Sequence, residues 1–377
     1  MNRLFFTSSA FILCLLTAFT ARAQRESIQK AIDKIESAKN VRYTVLETGN
    51  DPFGGSDYKN TSKVALYNRQ RDGSYERFVL QRGKNFKYLD NGKQHLELNF
   101  LDSTYVITPT HKVDTANGSV AFIIRAIKEE FKTGTKTSLL ADTTINGEAC
   151  YHIFLKRPDN TDKNYSYSSV FISKNRNLIM AYYSYVQGEM FKGGLSLGLI
   201  RMAQTYTLSN YRLDNKRPPV IDLTVPAGLN PEGKPLDLLS KGTPAPNWVL
   251  TATDGKKLSF ADLKGKVVFI DFCSNGCPAA ALAVPSMKML TGKYDGTDVV
   301  VLTINTRDSR DEVLKFMDKK EIKAPVYLNG KLTAKAYNVA GDPNFYLIDK
   351  QGLVNWGSRG YFEDFDNIIV KKIEELR

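Results

Sequence analysis

Three histidines, two tryptophans and four cysteines are spread over 377 residues. Four cysteines are too few for a disulfide-stapled scaffold, so each needs its own explanation. No histidine occurs in residues 241–377, which removes a Cys-His nucleophilic mechanism and a His-completed copper site from that part of the chain. His95, His111 and His152 are widely spaced, whereas metal ligation needs convergent ligands. Neither a metal nor another cofactor is expected. Beyond residue 23 no apolar run approaches the ~20 residues of a spanning helix. At 42% hydrophobic and 24% charged, the chain is neither collagen-like, disordered nor a multi-span membrane protein.

The net charge of +12 raises the question of a nucleic-acid partner. Residues 241–377 hold 20 Lys+Arg against 17 Asp+Glu, and Arg3 and Arg22 belong to the leader. The remaining positive balance is interleaved with acids across residues 24–240. Nucleic-acid binding needs a concentrated basic face with a reading element, and the sequence has neither, so no nucleic-acid partner is expected.

What is present begins with an export signal over residues 1–23. Arg3 supplies the positive start, residues 10–19 (AFILCLLTAF) a short apolar core, and Ala21-Arg22-Ala23 a small-residue cleavage site. Cys14 follows Leu13 inside the apolar core and does not read as a lipoprotein site. The expected mature protein is exported, periplasmic or extracellular, without an integral membrane segment, and retains Cys150, Cys273 and Cys277.

Seven of the 14 prolines fall between Pro218 and Pro246. Proline neither continues a helix nor donates to a ladder, so a linker is expected at 229–240. It separates a β-rich α+β domain at 24–228 from an α/β domain at 241–377. In the first, Ser27 is the expected N-cap of a helix whose apolar positions are Ile28, Ala31, Ile32 and Ile35. Strands are expected at 41–47, 63–67, 77–81 and 94–99, and a second helix near 120–131. An Asn146-Gly147 turn leads into 149–155, and late strands follow at 178–186 and 204–211. Cys150 reads as a buried small apolar residue. The element order, with the phrases Val170-Phe171-Ile172-Ser173-Lys174 and Gln204-Thr205-Tyr206-Thr207, weakly resembles the LolA/LolB half-barrels. That resemblance implies a concave face able to hold apolar ligands, and carries no catalytic motif.

Residues 241–377 open on Gly242-Thr243-Pro244-Ala245-Pro246 and turn at Asp254-Gly255-Lys256. The Lys264-Gly265-Lys266 turn precedes an apolar strand, Val267-Val268-Phe269-Ile270. Further on, Gly341-Asp342-Pro343 meets Phe345-Tyr346-Leu347-Ile348-Asp349. Together these resemble the extracytoplasmic TlpA/ResA thiol-disulfide oxidoreductases of the thioredoxin-like superfamily. The resemblance implies a mixed sheet with flanking helices, and a cis Pro343 that, with Pro278, faces a substrate. It implies a protein thiol or disulfide as substrate or redox partner, with Cys277 as nucleophile and Asp271 as a buried proton relay.

The family centre reads D-F-W-A-T-W-C-G-P-C; here it reads Asp271-Phe272-Cys273-Ser274-Asn275-Gly276-Cys277-Pro278-Ala279-Ala280. Ala280 stands where the resolving cysteine belongs, so the C-x-x-C pair is missing. Cys277 falls at the start of a helix, where free N–H groups and the dipole favour a reactive sulfur. Three readings follow. Cys273 substitutes as partner in a shifted pair, Cys277 works alone with an external thiol, or the domain is a redox-inactive binding or adaptor module coupled to an apolar-ligand or partner-binding first domain. The shifted pair requires the loop to fold back. Four extended residues span about 13 Å, against the 4.4–6.8 Å between Cα atoms of a disulfide. Asn275-Gly276 permits such a turn. Peroxiredoxins are set aside because Ile270 occupies their proline position.

Overall fold

The computed structural model describes residues 23–53, 57–110, 119–158, 161–192, 195–233 and 236–377. The expected export signal, apart from Ala23, lies outside the described residues, as do Cys14, His111, Lys234 and Pro235. The chain divides into two compact units. One runs to Gly49 and adds Tyr58–Gln187 and Arg201–Glu232; the other comprises Asn50–Asp57, Gly188–Ile200 and Gly233–Arg377.

The first unit begins with α1, residues 23–36. Ser27 is therefore not its N-cap, correcting the sequence expectation. Its hydroxyl donates to the Ala23 carbonyl at 3.0 Å inside the helix. The apolar spacing marks only the buried face, so it misses a first turn that needs no apolar contact. A Ser in a helix interior satisfies its hydroxyl on the preceding turn, which makes it a poor boundary marker.

Twelve strands form one sheet. They are β1 (Asn40–Gly49), β2 (Tyr58–Arg69), β3 (Tyr75–Arg82), β4 (Phe86–Asp90), β5 (Gln94–Asn99), β6 (Thr104–Pro109), β7 (Lys136–Ile145), β8 (Glu148–Lys156), β9 (Tyr165–Ser173), β10 (Ile179–Lys192), β11 (Leu195–Asp214) and β12 (Asn230–Pro231). Their spatial order is β12-β6-β5-β4-β3-β2-β1-β11-β10-β9-β8-β7. Asn146 and Gly147, both at positive φ (51° and 79°), join β7 to β8, as a two-residue hairpin of matching twist requires. At one edge β12 adds two residues in parallel to β6. At the other, the β7–β8 register shifts between Leu140 and Thr143.

One face of this sheet buries both helices. Ile28, Ile32 and Ile35 of α1 join Ile123, Ile124 and Ile127 of α2 (Val120–Lys132) against Val41, Leu66, Val170 and Leu208. Cys150 is fully buried in the same cluster. Ser119 accepts from the Phe122 N–H at 3.0 Å and caps α2, while the Tyr43 hydroxyl accepts from the Val120 N–H at 2.8 Å. Within α2, Glu130 is buried. It accepts from Ser168 at 2.7 Å and Tyr182 at 3.0 Å, and burial raises its pKa against those two hydrogen bonds.

The second unit carries a seven-stranded sheet with β13 (Val249–Ala252), β14 (Lys257–Ser259), β15 (Val267–Cys273), β16 (Val299–Asn305), β17 (Val326–Leu328), β18 (Asn344–Ile348) and β19 (Val354–Arg359). Their order is β14-β13-β17-β16-β15-β18-β19. The β15–β16 and β16–β17 pairs are parallel; β15–β18 and β18–β19 are antiparallel. Helices α3 (Pro278–Tyr294), α4 (Arg310–Lys320), α5 (Lys331–Ala336) and α6 (Phe365–Glu374) flank it. This is the thioredoxin-like arrangement, a mixed sheet covered by helices.

Period-two alternation on β15 assigns its faces. Val268, Ile270 and Phe272 pack with Trp248, Tyr337 and Tyr346. Val267 and Phe269 pack under Ala283, Met287 and Leu290 of α3 and Phe365 of α6. Asp271 and Cys273 continue the second set. Among the described residues no helix is long and apolar enough to cross a membrane.

Ile127 is fully buried between α2 and the first sheet, so Ile127→Ala is expected to cost that unit about 2–5 kcal/mol. Urea unfolding followed by circular dichroism checks this.

Candidate functional site

Cys277 is the N-cap of α3, with Pro278 in the first turn, where no N–H bond is lost. Gly276 before it has φ +76°, the left-handed region that glycine enters without strain. The chain thus turns sharply between the end of β15 and α3. The partly exposed Cys277 thiol donates to the Asp342 carbonyl at 3.2 Å, and the Asp342–Pro343 bond is cis. The structure therefore brings Cys277, Pro278 and the Pro343 loop together. Asp271 and Cys273 lie on the sheet face beneath α3, where both line a cavity together with Ala280.

The loop at 274–277 is held from two directions. Ser274 donates to the Asp342 carboxylate at 2.6 Å, and Arg307 approaches the same oxygen at 3.4 Å. The Asn275 N–H donates to Asp308 at 2.6 Å, and the Asn305 amide donates to that Asp308 oxygen at 2.8 Å. The Thr306 N–H donates to the Cys273 carbonyl at 2.9 Å, tying the end of β15 to the loop after β16.

The sequence reading does not single out Ser274, Arg307, Asp308 or Asp342 as site residues. One local signal was available for the neighbourhood. Ser309 and Glu312 form a capping box that opens α4 and so fixes where the 305–308 loop ends. The pairing of Ser274 with Asp342, 68 positions apart, has no sequence signal.

Asp271 is 4% exposed, and one of its oxygens is buried without a hydrogen-bond partner. Burial, and then the Asp342 charge, push its pKa up to about 8. The Cys273 thiol is pushed well above its ordinary value, first by burial and then by Asp271, Asp342 and Asp308. Cys150, Cys273 and Cys277 are all free thiols. Among the described residues no group of three or more His, Cys, Asp or Glu could hold a metal ion. His95 is buried between Asp90 (3.7 Å) and Glu97 (3.2 Å), and His152 stacks on Phe171.

The AhpC/TSA family model matches residues 241–356. Thiol-disulfide oxidoreductase ResA of Bacillus cereus is 34% identical over 114 residues, 30% of this chain and 66% of its own length. ResA of Bacillus subtilis is 32% identical over 117 residues, 31% of this chain and 65% of its own. The chain thus spans just under two thirds of these relatives. Among solved structures, a thiol:disulfide interchange protein of the thioredoxin family from Chlorobium tepidum is 26% identical. It covers 36% of this chain and 97% of its own, with a TM-score of 0.33. The exposed lipoprotein thioredoxin of Streptococcus pneumoniae is 28% identical, covers 35% of this chain and 100% of its own, and has a TM-score of 0.30. The C-terminal part of the chain is an AhpC/TSA-type thioredoxin-like domain, homologous to the ResA thiol-disulfide oxidoreductases.

The raised acid has a definite linkage sign. Folded Asp271 keeps its proton to about pH 8, while the unfolded chain loses it near the ordinary aspartate value. Between those limits the native state binds more protons, so stability falls as pH rises and levels off above about 8. Asp271→Asn should therefore match the wild type near pH 4 and be more stable by about 2 kcal/mol or more at pH 8.5, at about 1.4 kcal/mol per pH unit. Guanidinium unfolding followed by tryptophan fluorescence at the two pH values tests this; an equal gain at both would refute it.

Proposed function

We propose that the chain is an exported thiol-disulfide exchange protein whose thioredoxin-like domain works through one cysteine, Cys277. The observation that carries this reading is the difference between the two candidate sulfurs. Both residues are partly exposed, but Cys277 stands at the head of α3 with its thiol on the Asp342 carbonyl beside Pro343. Cys273 lines the cavity below, and its thiol is disfavoured as an anion first by burial and then by its acidic neighbours, among them Asp342 and Asp308. The thiolate is the attacking form, which counts against Cys273 and leaves Cys277, at the helix head beside Pro343, as the proposed nucleophile.

In the proposed step the Cys277 sulfur attacks one sulfur of a protein disulfide. The substrate S–S bond breaks, a Cys277–substrate disulfide forms, and the other sulfur leaves, taking up a proton to balance the one Cys277 gives up. Asp271, protonated to about pH 8, is the internal proton reservoir, and Pro343 and Pro278 border the substrate. With Ala280 in place of a resolving thiol, release requires an external thiol to attack the mixed disulfide. The export step of this reading rests on the leader-like residues 1–23.

The same Ala280 favours a second reading, in which the domain binds partners without turning them over. An aromatic disulfide separates the readings. Wild type and Cys273→Ser should each release one fast equivalent of aromatic thiolate, and Cys277→Ser should release none. Equal, background-level rates in all three would favour the adaptor. A disulfide between Cys273 and Cys277 after mild oxidation, detected by alkylation and mass spectrometry, would replace the single-cysteine mechanism with the shifted pair.

Ala280→Cys supplies the missing thiol. Insulin reduction by that variant with dithiothreitol should rise about tenfold or more above wild type, because the mixed disulfide gains an internal resolving step.

A further inference from the structure

Beneath the Cys277 loop, a cavity of about 260 Å³ lies among α3, α4 and the face of β15 and β16 that bears Asp271. Its walls are mostly apolar, with Ala280, Val284 and Met287 on one side of α3 and Phe316 on α4. Residues 280, 284 and 287 are spaced by four and three, so they present one helix face to it. Lys288, Glu321 and Lys323, all exposed, also line it and mark its mouth.

Two lining residues carry buried polar atoms without partners, an oxygen of Asp271 and the side-chain nitrogen of Asn275. Asp271 is 96% buried, being 4% exposed. A buried polar group left unpaired costs about 1–3 kcal/mol, so two in one cavity call for an occupant. Water can meet these groups, since Ser274, Thr303 and Asn305 also line the cavity, but it would leave the larger apolar part of the wall uncovered. An apolar cavity of ~150 Å³ stays dry and takes up benzene.

The chemistry of the two groups narrows the occupant. Asp271 holds its proton to about pH 8 and so offers an O–H, and the Asn275 amide nitrogen offers an N–H. Each can donate, and an acceptor oxygen in the cavity would satisfy both at once, the Asp271 carbonyl oxygen being an acceptor that such a ligand need not use. The Asp342 charge that acts on Asp271 disfavours an anionic one.

We propose that this cavity binds a small neutral carbonyl compound with an aromatic or short alkyl body. Its oxygen takes hydrogen bonds from Asp271 and Asn275, and its body lies between α3 and α4. The site does not depend on Cys277 turning over, so its success or failure is separate from that of the exchange reading.

Acetophenone is the probe, and ethylbenzene, nearly the same shape without the acceptor, is its control. Calorimetric titration of the full chain should show acetophenone binding below about 1 mM and ethylbenzene about tenfold or more weaker. Ala280→Leu fills the cavity and should weaken both about tenfold, with tryptophan fluorescence confirming that it folds. Asp271→Leu should abolish the preference for acetophenone, and Asn275→Ala, on a partly exposed loop, should reduce it. Absence of acetophenone binding at about 1 mM, equal binding of the two probes by wild type, or undiminished binding by Ala280→Leu would each overturn the proposal.

Discussion

Asp271 sits on the α3 side of β15, at the position after Ile270 and two beyond Phe269, where alternation turns it inward. A carboxyl group in that place cannot ionise at ordinary cost, because burial and the Asp342 carboxylate both oppose its charge. The neighbourhood follows from this constraint. Asp342 takes its own hydrogen bond from Ser274 and faces Arg307, and one Asp271 oxygen has no partner. Cys273, two residues along the same face, inherits the same desolvation. Gly276 turns the chain after β15 and puts Cys277 at the head of α3. β15 thus ends on Cys273, and the turn after it sets Cys277 on the Asp342 carbonyl, the position from which the proposed reading has it attack.

Much of this was legible in residue order. Local signals gave the apolar strand Val267–Ile270 and a turn permitted at Asn275-Gly276, while the helix head at Cys277 and the Asp342-Pro343 loop were legible through the TlpA/ResA resemblance. These signals work because strand alternation, glycine at positive φ and proline in a helix's first turn are short-range effects. The clamp of Ser274 on Asp342 and of Asn275 on Asp308 was not legible. Its partners are 68 and 33 positions apart and meet only after β15, β16 and β18 align. The Ala280 substitution was visible as a missing thiol. Its geometric effect, a small side chain bordering the same cavity as Asp271, emerges only when α3 is laid on the sheet.

The first unit shows the same division. Apolar spacing identified the first helix, a second was expected near 120–131, and Asn146-Gly147 identified a hairpin. The start of α1 was misplaced because Ser27 suits a cap and, when bonded to Ala23, an interior turn equally well. Glu130 illustrates the opposite difficulty. On a helix it reads as an ordinary exposed acid, and only Ser168 and Tyr182, from β9 and β10, account for its burial.

The ends of the twelve-stranded sheet govern its behaviour towards other copies of itself. An open edge is a template for further strands, and sheet proteins that leave one flat are prone to join edge to edge. Here one edge closes on a two-residue strand ending in Pro231, which has no N–H to offer a newcomer. The other edge is interrupted where β7 slips register between Leu140 and Thr143, so an incoming strand finds no continuous ladder. Each margin of this sheet thus carries a feature that works against strand addition, while Leu139 and Leu140 lie exposed beside the second.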